Sequence, residues 1–157
     1  MLRRALFYGL PALALFICVW VTRVFLATDI ATRLLQLTGL QAIASVAVIG
    51  GLLPSLVLGI AYGMIRAQPV VRNAFIVALA ACAFELAIAS LSVPWWLFMT
   101  WWVLPIECVI VLVAFPVASW LGAILFARAD PEARRRIGIA VFVVVLAAAV
   151  LWAWLSG

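Results

Sequence analysis

Asn73–Val93 reads NAFIVALAACAFELAIASLSV, an apolar run broken near its middle by one charged residue, Glu85. About 20 residues of helix, rising roughly 1.5 Å each, cross the ~30 Å hydrocarbon core of a bilayer, so this run is long enough to span one. A carboxylate at that depth is expensive, and Glu85 must be paired, protonated, hydrated or turned toward protein. A second acid, Glu107, interrupts the next apolar run.

The tip between these two runs is Pro94-Trp95-Trp96. Glu85 lies 11 residues before position 96 and Glu107 lies 11 after it. In an antiparallel helix pair, equal separation from the tip means similar depth, so the two carboxyl groups are expected to meet. Two acids at close range in a low dielectric share a proton, hold a cation or pair with an arginine. Arg23, at the outer end of the first apolar run, is the basic residue within reach of that depth. The expectation is one polar cluster of Glu85, Glu107 and Arg23 in the outer half of the membrane. Each acid has three readings: a neutral packing residue, a proton- or cation-handling group, or the partner of another subunit's charge.

The neighbours of Glu85 at helical spacing are small: Ala78, Ala81, Cys82, Ala89 and Ser92. Small residues let helix backbones approach closely in lipid, so this acid is expected to face protein. Glu107 shares its face with Thr100, Val103, Leu104, Ile110, Val111 and Ala114, a bulkier setting that defines its packing less clearly. Gly59 and Gly63 form a G-x-x-x-G, with Gly50-Gly51 and Pro54 before it. That pattern permits a close helix crossing within the chain or between chains.

The rest of the sequence has the same character. Of 157 residues, 71% are hydrophobic and 10% charged, against roughly 45–50% apolar content in soluble domains. The pattern predicts an all-α integral membrane protein forming a single domain over residues 1–157. Its five spans fall at about 5–22, 39–65, 73–93, 97–126 and 137–155. Met1-Leu2-Arg3-Arg4 and the apolar run after it imitate a secretory signal. Bulky Ile17 and Phe25 spoil the cleavage contexts, so that segment is expected to remain as the first span. Asp29 and Arg33, an i, i+4 pair between the first two spans, suit an amphipathic segment at the interface. Pro105 and Pro116 in the long fourth segment favour bending or tilt.

With the N-terminus inside, an alternating five-span topology gathers Arg3, Arg4, Arg66, Arg72, Arg128, Arg134, Arg135 and Arg136 on the inner side and leaves Arg23 and Arg33 outside. Eight against two predicts a cytoplasmic N-terminus and an outer C-terminus. In the inner loop, Asp130, Pro131 and Glu132 read as a helix start, and Arg134–Arg136 as an anchor to lipid phosphate. Trp95, Trp96, Trp101 and Trp102 read as an outer interfacial belt, with Trp152 and Trp154 at the same level.

All ten basic residues are arginine, with neither lysine nor histidine. That removes imidazole acid/base chemistry, histidine metal ligands and lysine Schiff bases, so no enzymatic activity, metal or cofactor is expected. Cys18, Cys82 and Cys108 have no paired spacing and read as small buried hydrophobes. The +5 net charge lies in short loops and marks orientation, not nucleic-acid binding. The expected partners are the lipid bilayer and another membrane protein or a second copy. The expected role is that of a subunit or accessory protein of an assembly in a bacterial inner membrane. The alternative is a small proton- or cation-coupled transporter using the glutamate pair.

Overall fold

The structure, a computed structural model, describes residues 2–27, 36, 39–65, 70–91 and 97–156. They form five α-helices: α1 Leu2–Val21, α2 Gly39–Ile65, α3 Val70–Leu91, α4 Leu97–Leu125 and α5 Pro131–Ser156. A π-helical turn, Thr22–Ala27, continues α1. Helices are the expected answer to a solvent without water, because each backbone N–H and C=O is satisfied within its own segment. Stretches of 22 to 25 residues in α2 to α5 are long and apolar enough to cross a membrane. The apolar part of α1, Tyr8–Val24, is shorter, close to the lower limit for a span.

At α5 the helix begins at Pro131, where the Asp130-Pro131-Glu132 pattern places it and ahead of the apolar run from Ile137, because Asp130 caps it. The Ala133 N–H donates to Asp130 Oδ2 at 2.8 Å and the Arg134 N–H to the Asp130 carbonyl at 2.9 Å. Arg136 then pairs with Glu132 at 2.6 Å on the exposed face, and Arg134 Nη1 reaches the Phe126 carbonyl at 3.5 Å. Pro11, Pro54, Pro105 and Pro116 all sit inside helices that continue through them.

Contacts fix the directions. Tyr8 with Asn73, Phe16 with Phe84 and Arg23 with Glu85 align α1 parallel to α3. Gly51 against Ile110, Gly59 against Ala118 and Gly63 against Ala123 align α2 parallel to α4. α3 meets α4, and α5 meets both α2 and α1, which closes the order α1, α3, α4, α2, α5 around the bundle.

The α2–α4 seam is the most extensive contact. It follows a stripe at four-residue spacing along α2: Ala47, Gly51, Ser55, Gly59 and Gly63, all buried. A Cβ on Gly59 would stand 2.7 Å from that of Ala118, and one on Gly63 would run into the Ser119 carbonyl. The G-x-x-x-G therefore packs within the chain. Its partner Gly122 lies against the Ile60 backbone, so glycine on both helices brings the two backbones together. Between lipid-solvated helices this close packing replaces the hydrophobic drive of a water-soluble core. The rings of Tyr62 and Phe115, tilted at 47° with centroids 5.6 Å apart, fill the next layer.

α5 stands apart. Only 6% of its spanning stretch is buried, against 33–44% for α2, α3 and α4. It touches the bundle through Gly138, which abuts Ala61 and Ile65, and through Phe142, Val145, Leu146 and Ala149. Trp152 and Trp154 near its end are exposed. The expectations for Trp95, Trp96, Asp29 and Arg33 lie outside the described residues, as do those for the side chains of Trp101 and Trp102.

The seam is testable with two alanines. Gly63→Ala should destabilise the folded chain by about 1–3 kcal/mol or more, the range for overpacking a tight contact. Gly9→Ala, whose Cβ meets nothing within 4 Å, should leave it unchanged. Detergent-titrated unfolding followed by circular dichroism reads both, and equal losses would refute the packing.

Candidate functional site

Three elements deliver one charge each to the same point. Arg23 lies in the π-turn that continues α1, Glu85 in α3 and Glu107 in α4. A single guanidinium nitrogen, Arg23 Nη1, donates both to Glu85 Oε1 and, at 2.6 Å, to Glu107 Oε2. The two accepting oxygens share one donor, so they lie within two hydrogen-bond lengths of each other. Glu107 is fully buried, Glu85 is 4% exposed, and the Arg23 side chain is 18% exposed.

Charges in hydrocarbon need this kind of neighbour. Removing a carboxylate from water costs several kcal/mol, and only a close opposite charge with good hydrogen bonds offsets it. The small-residue stripe of α3 creates the access: Ala78, Ala81 and Cys82 are buried beside Glu85, with Ala89 half-buried further along. The Cys82 thiol donates weakly to the Cys108 carbonyl across the α3–α4 contact, at 3.8 Å. Cys18, Cys82 and Cys108 are all free thiols.

α2 roofs the cluster. A Cβ on Gly50 would stand 2.8 Å from Glu107 Oε1 and 3.0 Å from Arg23 Cβ. One on Gly51 would stand 3.2 Å from Glu107 Cγ. Glu107 Oε1 is buried with no hydrogen-bond partner among the described residues. Sequence reading did not assign this role to Gly50-Gly51, although a glycine pair at the depth of two acids was the available signal. It also did not pair Tyr8 with Asn73, whose side chains meet at 3.2 Å and link α1 to α3 nearer the start of both helices.

A cavity of about 280 Å³ opens between α1, α2 and α5, walled by Cys18, Thr22, Pro54, Val57, Ala149 and Trp152 among others. Its walls are apolar, and neither Glu85 nor Glu107 lines it. Among the described residues no group of three or more histidine, cysteine or acidic side chains is arranged to hold a metal.

Fold and cluster together define a polytopic α-helical membrane protein with a charge triad in its interior. Comparison with protein-family models, curated proteins and solved structures gives no match for the chain.

A charge-pairing cycle tests the triad. Arg23→Gln should cost about 3–5 kcal/mol, the usual penalty for orphaning a buried charge. The triple variant Arg23→Gln, Glu85→Gln, Glu107→Gln should recover much of that loss in reversible unfolding. A triple variant as unstable as Arg23→Gln alone would show that the three do not act together.

Proposed function

We propose that this chain is a small subunit or accessory protein of a membrane assembly, acting through helix packing with another membrane protein or a second copy of itself. The observation that carries this reading is the contrast between the acids and α5. Arg23 pairs both acids inside the chain, while α5 presents Val143, Val144, Val150 and Leu151 outward with little of its spanning stretch covered. Connections between helices are short, so the equipment for partners is the helix surface itself. No enzymatic role belongs to this reading.

The proposed setting is a bacterial inner membrane, with the N-terminus cytoplasmic and the C-terminus outside. Helix directions support that orientation, because the start of α1 and the Arg128–Arg136 connection fall at one end of the bundle, where the positive-inside rule wants them. A proton- or cation-coupled transporter remains the second reading, favoured by the partnerless Glu107 Oε1. The apolar cavity that bypasses both acids weighs against it.

In native-lipid nanodiscs the extracted protein mass per particle, read by native mass spectrometry after the lipid is stripped, should exceed one 17.0 kDa chain. Val144→Trp with Leu151→Trp, one heptad apart on α5, should reduce it to a single chain without changing thermal stability. A wild-type particle of one chain would refute the assembly role. Loss of cation flux on Glu85→Gln in proteoliposomes, with mass unchanged, would favour the transporter instead. For orientation, a single cysteine placed at Gly157 should react with a membrane-impermeant maleimide in intact cells, and protection there would reverse the topology.

A further inference from the structure

Two ionised carboxylates and one guanidinium leave the Arg23–Glu85–Glu107 triad one negative charge in excess. Among the described residues no further cation pairs with it. A water molecule at Glu107 Oε1 would satisfy that oxygen's hydrogen bonding but leave the excess charge in place. Hydrocarbon tolerates such a charge poorly, because nothing there replaces the water an ion gives up. A fully buried carboxylate oxygen with no partner, on a cluster that already carries surplus negative charge, is where a compensating positive charge belongs.

We propose that the triad is a binding site for one compensating monocation, a proton or an alkali metal ion, seated at Glu107 Oε1 beside Gly50. The bare α-carbon of Gly50 packs against that oxygen on the α2 side, where a Cβ would stand at 2.8 Å, so the site has room for a small occupant alone. The groups facing the site from each packed element are few. Among the described residues, the π-turn supplies Arg23, α3 supplies Glu85 and Cys82, α4 supplies Glu107 and Cys108, and α2 supplies glycine backbone alone. The glutamate pair is therefore the part of the cluster able to take up the charge. This site exists whether or not the chain moves an ion across the membrane, so it stands apart from the assembly role.

The full chain, purified in detergent, is melted with tryptophan fluorescence as the readout. Buffers at about pH 5.5 and pH 8.5 contain either choline chloride or sodium chloride at equal ionic strength. The midpoint should fall by several degrees from low to high pH in choline, as protons leave and the excess charge is exposed to the dry interior. Recovery in sodium at high pH identifies a metal ion as an occupant, and failure to recover identifies the proton alone. Glu107→Gln, which leaves one carboxylate for one guanidinium, should be flat across all four buffers. Glu132→Gln, at an exposed acid elsewhere, should keep the wild-type response. A wild type that is flat throughout, or a response that survives in Glu107→Gln, overturns the proposal. Should Glu107→Gln fail to fold, infrared spectroscopy of the wild type decides. A carboxylic-acid carbonyl band that shifts in deuterium oxide supports the site, and its absence together with no sodium response overturns it.

Discussion

Everything in this bundle answers to the scarcity of partners for charge inside a lipid bilayer. Water would solvate Glu85 and Glu107 separately, but hydrocarbon forces them onto the same guanidinium nitrogen. That requirement sets the bundle's arrangement. α1 must lie beside α3 for Arg23 to reach Glu85, and α3 beside α4 for the same nitrogen to reach Glu107. α2 then closes the remaining side with Gly50 and Gly51, because any larger residue there would collide with the ion pair.

The glycine seam and the charge triad are one construction. The stripe that brings α2 onto α4 at Gly59 and Gly63 continues through Ser55 to Gly51, which rests on Glu107. Close backbone approach at one level and a sealed acid at another follow from the same row of small residues. In lipid, where apolar surface gains little by turning inward, such close contact supplies the cohesion that burial supplies in water.

Much of the site was readable from the residues. Equal spacing of Glu85 and Glu107 about the Trp95-Trp96 turn implied shared depth, and the topology left Arg23 as the base at that level. Sequence reading judged the face of Glu107 less clearly packed because its own helix neighbours are bulky, yet it is the more deeply buried acid. The reason lies on the opposite helix, where glycines accommodate that bulk. α2 and α4 are not consecutive, and one chain's residue order does not say which distant helices pair. The start of α5, by contrast, was legible, because Asp130 and Pro131 carry a capping pattern that hydropathy does not register. The companion contact of Tyr8 with Asn73 left no periodic mark.

The π-turn after α1 carries a consequence for how the chain is made. Arg23 is separated from Glu85 by 62 residues and from Glu107 by 84. During synthesis its charge therefore finds its first partner only when α3 brings Glu85, and the second only when α4 brings Glu107. The first helix is thus committed to its final position by the fourth, and the bundle is locked late in translation.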